Sequence, residues 1–186
     1  MGRWKPDARG RLAKAAFELF EDPGFEATTV ADIAERAGLT KRTFFRYFGD
    51  KREVLFAGSP ELVGDFVAAI ENAPADDPPL DAIAAGLDAM GTFFAAGGEF
   101  PRRRQAIIDA HPDLRERELI KLAGYADSGA AALRKRGVSE PGARLAAQAG
   151  MAVLQSAFGQ WTEGPAGEDI HRLLRDSLAE LKAVTA

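Results

Sequence analysis

The sequence predicts an all-α protein of about nine helices, a small three-helix part at residues 1–56 followed by a larger helical part at 57–186. Three observations lead there. Apolar residues recur at i, i+3, i+4 and i+7 along successive segments. Ser, Thr and Asp at the start of these segments, and Gly or Pro at their ends, punctuate them as helices. One short stretch, 36–52, is strongly basic: Arg36, Lys41, Arg42, Arg46, Lys51 and Arg52 stand against the single acid Asp50.

Composition bounds the rest. The net charge of −4 conceals a split, +2 over residues 1–56 and −6 over 57–186. An acidic chain with one basic stretch points to a local polyanion contact. With 46% hydrophobic residues and no apolar run of about 18, the chain reads as globular, with no membrane span expected. The start lacks the apolar core of a signal peptide, and there is no cysteine. Disulfides and thiolate metal sites are therefore excluded, and a cytoplasmic location is expected.

The first helix is read from Pro6 to about Glu21, with Leu12, Ala16, Leu19 and Phe20 inward and Arg9, Arg11, Lys14 and Glu18 outward. Gly24 supplies a left-handed stop. Thr29 caps the second helix, with Asp32 completing an imperfect capping box, and Gly38 ends it. Thr40 caps the third, where Leu39 packs on Phe44 as a hydrophobic staple.

The third helix carries the functional expectation. Phe44 and Phe48, at i and i+4, point inward, which places Arg42 and Arg46 nearly opposite them at 100° per residue. Lys41 and Phe45 take one flank, Thr43 and Tyr47 the other. A short helix pinned by two aromatics thus presents a basic, hydroxyl-bearing face suited to the major groove of double-stranded DNA. Two short helices joined by a Gly-containing turn form a helix-turn-helix. Asp50 and Glu53 then cap a fourth helix whose first-turn Lys51 and Arg52 are expected to meet phosphate. Arg3, Lys5 and Arg9 form an arm of the kind that enters a minor groove.

The run from Thr28 to Phe56, with its turn glycine, paired aromatics and Gly49-Asp50-Lys51, resembles the DNA-binding region of TetR-family regulators over roughly residues 8–56. The resemblance implies a dimeric, all-helical repressor released from its operator by a small molecule. It further implies backbone contacts from Thr29, Tyr47 and Lys51, and groove contacts from Lys41, Arg42, Thr43 and Arg46, beside the capping Thr40. Phe45 stands where many members have Tyr, so packing on sugars or a thymine methyl replaces a hydroxyl contact there.

Downstream, Gly58-Ser59-Pro60 breaks the fourth helix, because Pro60 clashes with the carbonyl of Phe56, and Ser59 recaps it. This is the expected mechanical joint between reader and core. Leu62, Val63, Phe66, Val67 and Ile70 form its core stripe. Pro74–Pro79 is a loop. The fifth helix buries Ile83, Leu87, Met90 and Phe94 and ends at Gly97-Gly98. A short sixth holds Ile107 and Ile108 and stops at His111-Pro112. The seventh runs to about Arg136 with Leu114, Leu119, Leu122 and Leu133 inward, and Asp113–Arg117 paired outward.

The eighth helix is apolar on two sides. Met151, Leu154, Phe158 and Trp161 make a bulky stripe; Leu145, Ala149, Ala152, Ser156 and Gly159 make a small-residue stripe nearly opposite. Its own domain covers one side and a second copy the other. The ninth helix, with Ile170, Leu173, Leu174, Leu178 and Leu181, is expected beside it in a four-helix homodimer. Two readers about 34–36 Å apart engage successive major grooves and select a near-palindrome.

Phe66, Met90, Phe94, Tyr125, Met151, Gln155, Phe158 and Trp161 are the candidate lining of an effector pocket, an idea raised by the resemblance, with Gln155, Tyr125 and His111 as polar groups. No cofactor or metal is expected. Two histidines, with Asp109 and His111 off one helical face, suggest no catalytic chemistry, so no enzyme is expected. The competing expectation is a helical ligand- or partner-binding protein without operator-specific DNA binding.

Overall fold

The structure is a computed structural model in which residues 7–185 are described. Among these residues it is all-α, with nine α-helices: α1 (Ala8–Leu19), α2 (Val30–Arg36), α3 (Lys41–Tyr47), α4 (Ser59–Asn72), α5 (Pro79–Ala96), α6 (Phe100–Asp109), α7 (Pro112–Lys135), α8 (Glu140–Glu163) and α9 (Ile170–Thr185). The expected arm residues Arg3 and Lys5 lie outside the described residues. The chain divides into two compact units, Met1–Gly58 with Ala106–Leu114, and Ser59–Gln105 with Arg115–Ala186. Sequence reading had assigned all of 57–186 to one domain. Segment 106–114 departs from it because Ile108 and Leu114 are buried among the apolar residues of the first unit.

In the first unit α1 starts at Ala8, two residues later than Pro6, and the Asp7 side chain caps it by accepting from the Gly10 amide at 2.8 Å. After Leu19 the chain kinks through Phe20–Gly24, where Asp22 is extended and Gly24 has φ 115°. Glycine has no Cβ to oppose that value. Leu12, Phe20, Phe25, Ile33, Phe44 and Phe48 then close a common core. The fourth helix expected from Asp50 does not form as one piece. Residues Arg52–Phe56 make a 3-10 turn, and α4 begins at Ser59, so Pro60 falls in the first turn where its missing N–H costs nothing.

In the second unit α5 packs against α4, α8 and α9. Small residues make that possible. A Cβ at Gly86 would lie 2.6 Å from the Phe66 ring and 2.9 Å from Ile70, and one at Gly91 would lie 3.0 Å from Leu174. On α8 the bulky stripe Met151, Leu154 and Trp161 is buried, while Leu145, Ala152 and Ser156 are exposed.

One expectation is corrected here. Leu119 is exposed together with Ile120, because that stretch of α7 lies between Leu114, buried in the first unit, and Leu122, where the second core begins. As expected, α9 packs beside α8, with Ile170, Leu173 and Leu174 buried in their own unit's core.

Candidate nucleic-acid interface

Local chemistry sets the two short helices. Thr29 is extended, its hydroxyl accepts from the Asp32 amide, and the Asp32 carboxylate accepts from the Thr29 amide at 2.8 Å, a complete capping box on α2. The hydroxyl and amide of Thr29 hold the Asp32 carboxyl below its ordinary value, with Lys41 adding a smaller push the same way. α2 stops at Gly38, φ 63°, and the Arg11 guanidinium donates to the carbonyls of Ala37 and Gly38 at that end. Thr40 caps α3 by accepting from the Thr43 amide at 3.2 Å, and the Thr40 and Thr43 hydroxyls are 3.0 Å apart.

The faces of α3 separate cleanly. Phe44 and Phe48 are buried with ring centroids 5.5 Å apart, although Phe48 lies just past the helix in an extended conformation. Lys41, Arg42, Phe45, Arg46 and Tyr47 are exposed and Thr43 is half-buried. Arg46 donates to the Tyr47 hydroxyl at 3.2 Å and its guanidinium lies 4.9 Å from that ring's centre. Phe45 is 57% exposed.

The basic cluster therefore resolves into two groups. Arg36 pairs with Glu18 at 3.3 Å. Arg52 donates to Asp50 at 2.9 Å, which raises its pKa, and lies 3.7 Å from Asp113. Lys51 differs most from expectation: its ammonium donates to the carbonyls of Phe25 at 2.8 Å, Thr28 at 3.1 Å and Glu26 at 3.5 Å, and sits 4.3 Å from the Phe25 ring centre. Its ammonium thus joins the turn before α2 to the segment after α3. A carbonyl-rich turn end attracts a cation more locally than any solvent-facing position does. Lys41, Arg42 and Arg46 on α3 are left as the outward cations.

Sequence reading missed several supports of this face. Thr28, 2% exposed, donates its hydroxyl to Leu19 or Gly24, whose carbonyls lie 2.9 and 2.8 Å away. The Thr28-Thr29 doublet was its only signal, since a single cap needs one of the two. Arg11 and Arg9 were expected outward. Arg11 instead holds the end of α2, and Arg9 lies over the Phe48 ring at 5.9 Å. His111 packs edge-on to Phe25 at 4.9 Å, with its Nδ1 2.8 Å from the Ile107 carbonyl. That places it in the first unit and removes it from the candidate effector lining.

The other effector candidates also divide. Phe66, Met90, Met151 and Trp161 are buried core residues, with the Trp161 indole donating to the Glu168 carbonyl at 3.0 Å. Gln155 is exposed on the α8 side that carries Ala152 and Ser156, so it does not converge with them. Phe94 and Phe158 are half-buried with rings 4.6 Å apart, and Tyr125 donates to the Ser59 hydroxyl at 3.0 Å. Arg102 donates to the carbonyls of Thr162, Gly164 and Pro165, and Arg104 pairs with Glu118 at 3.3 Å.

Comparison with known proteins agrees with this arrangement. Residues 12–57 match the profile of bacterial regulatory proteins of the tetR family, and residues 77–186 match that of the MftR C-terminal domain. Over 82 residues the chain is 40% identical to the HTH-type transcriptional regulator TcmR of Streptomyces glaucescens, covering 44% of this chain and 36% of TcmR. Over 125 residues it is 28% identical to the regulator MftR of Mycobacterium tuberculosis, named for mycofactocin biosynthesis, covering 67% of this chain and 63% of MftR. The matches thus span less than two-thirds of either relative's length. FadR of Bacillus subtilis, solved in complex with stearoyl-CoA, shares the fold with a TM-score of 0.59 at 20% identity, over 92% of this chain and 96% of that one. With the second profile spanning more than half of its residues and the first covering the capped α2–α3 pair, the chain belongs to the TetR family of bacterial regulatory proteins.

Proposed function

We propose that this protein is a cytoplasmic, homodimeric DNA-binding transcriptional repressor whose α3 reads a near-palindromic operator and whose second unit binds a small apolar or amphipathic effector. One observation carries the reading: Phe44 and Phe48 anchor α3 from inside while Lys41, Arg42, Phe45 and Arg46 face solvent together. Arg42, Arg46 and Lys41 meet guanine edges and phosphates; Thr43 and Phe45 meet base edges or methyl groups; Thr29, Thr40 and Tyr47 flank them at the backbone. The exposed small-residue stripe of α8, including Ala152 and Ser156, supports a second copy docking there.

For the effector, the half-buried Phe93, Phe94, Tyr125 and Phe158 are the group with surface left to cover. The fold is shared with a FadR that was solved with an acyl-CoA, and a long apolar chain with a polar head suits such a cluster. An effector acts only through unequal affinity for the two shapes of the protein. The chain passes between its two units after residues 58, 105 and 114, so Gly58–Pro60 and the α6–α7 corner are the covalent routes for that shift.

The test is selection of an operator from random double-stranded DNA, followed by binding titrations. A defined operator, a steep loss of affinity with salt, and loss of binding in Arg42→Ala with the fold intact are expected. No enriched sequence, or undiminished binding in Arg42→Ala, sinks the proposal and favours a purely ligand- or partner-binding helical protein.

A further inference from the structure

We propose that Arg11 is a positioning residue for operator recognition: from α1 it holds the turn between α2 and α3, and so sets how the start of α3 meets base edges. The inference rests on the operator-binding reading above and deepens it. Helical spacing sends Arg11 outward, yet the residue is half-buried. One terminal nitrogen of its guanidinium donates to the carbonyls of both Ala37 and Gly38. Ala37 caps the end of α2, and Thr40, two residues past Gly38, caps α3.

The position suits a cation. Carbonyls at the end of a helix carry the negative pole of its dipole, and a charged donor bonds them more strongly than a neutral one. The amides of the turn bond back into α2, Gly38 to the Glu35 carbonyl and Leu39 to that of Ala34, each at 2.8 Å. Arg11 takes the carbonyl side of the same turn and fastens it to a different helix. Arg9, two residues earlier, lies over the ring of Phe48, the residue that follows α3, at 5.9 Å. The first turn of α1 thus reaches both ends of the reader helix. Leu12, next to Arg11, is fully buried in the core that holds Ile33, Phe44 and Phe48, so the clamp works from a fixed base. Lys41, Arg42 and Thr43 occupy the first turn of α3, and a drift of the Gly38 turn moves them directly. Phosphate contacts, made by long side chains to a uniform backbone, tolerate such a drift; base contacts do not.

Wild type, Arg11→Lys and Arg11→Met are compared on the selected operator and on a scrambled duplex of equal length, across a salt series. Amide hydrogen exchange at Gly38 and Leu39 is followed without DNA. Lysine keeps the charge, but its ammonium stops short of the terminal nitrogen of arginine; methionine removes the charge. Expected is an operator affinity lower by roughly tenfold in Arg11→Met, the scale of one mismatched base pair, and by a smaller factor in Arg11→Lys. Scrambled-duplex affinity and salt slope stay as in wild type, and exchange at Gly38 and Leu39 speeds up in both variants.

The proposal is overturned if Arg11→Met loses affinity for both duplexes and its salt slope falls by about one while Arg11→Lys binds as wild type does, the signature of a phosphate contact. Equal losses on the two duplexes that track a lower folded fraction mark a role in stability alone and overturn it too. So does unchanged exchange at Gly38 and Leu39. If Arg11→Met does not fold, the ratio of operator to scrambled affinity in Arg11→Lys decides: a fall supports the proposal and an unmoved ratio overturns it. A wild type that selects no operator defeats the DNA-binding reading and the proposal with it, whereas an operator preference that survives both variants defeats the proposal alone.

Discussion

Phe45 stands edge-on against Phe44, ring centroids 5.5 Å apart and planes at 84°, so that a fully buried ring holds an exposed one at the rim of α3. The exposed ring has no hydroxyl and sits one turn from Lys41 on the same flank. In an operator complex its expected partner is apolar, and the C5-methyl of thymine is the apolar group the major groove offers. Replacing operator thymines one at a time by deoxyuridine removes only that methyl. At one position wild type is expected to weaken about fourfold, from about 0.8 kcal/mol per buried carbon, whereas Phe45→Ala is indifferent to the change. Equal sensitivity in both proteins at every thymine refutes the contact.

The α2 capping box makes a second, acid-sensitive prediction. Thr29→Ala removes one half of it and is expected to lower stability by about 1 kcal/mol in urea unfolding. The Asp32 carboxyl is depressed by its hydrogen bonds to Thr29, so its folded pKa lies below its unfolded one. Its contribution is present above the unfolded value and is lost as pH falls through the folded one. Asp32→Asn is therefore expected to flatten the acid limb of the stability profile and to leave the neutral-to-basic limb unchanged in shape.

Two glycines on neighbouring helices should respond to alanine with opposite signs. At Gly86 a Cβ would meet the buried Phe66 ring at 2.6 Å and Ile70 at 2.9 Å. Gly86→Ala is expected to destabilise by about 1–3 kcal/mol through overpacking. At Gly64, exposed within α4, a Cβ would meet nothing within 4 Å. Gly64→Ala is expected to stabilise by about 0.5–1 kcal/mol, since alanine loses less backbone freedom in a helix. Thermal denaturation midpoints moving in the same direction would contradict the packing described for α4 and α5.

The exposed α8 stripe should hold the second copy. Ala152→Arg places an unpaired charge there, and such a charge in an interface costs about 2–5 kcal/mol, enough to weaken self-association at least about thirtyfold. Light scattering after gel filtration should show dimer for wild type and monomer for the variant, with operator affinity falling in parallel. A variant that stays dimeric moves the interface elsewhere, and exposed Leu119 and Ile120 on α7 are then the next face to probe.

Much of this was legible in the residue order because it is local. The caps Thr29 and Thr40, the stop at Gly38, the break at Ser59-Pro60 and the inward turn of Phe44 and Phe48 depend on groups within four residues of one another. The outward face of α3 follows from the same periodicity, and the two stripes of α8 separate as their spacing requires. What only the tertiary structure decided involves partners distant in sequence. Lys51 chose carbonyls 23–26 residues away, Arg11 closed the end of α2 across 26 and 27 residues, and the 106–114 corner joined the first unit. Periodicity shows which side of a helix avoids water; it does not say which other element arrives to cover it. Where a charged side chain finds a cluster of carbonyls nearer than solvent, the fold and not the pattern sets its direction.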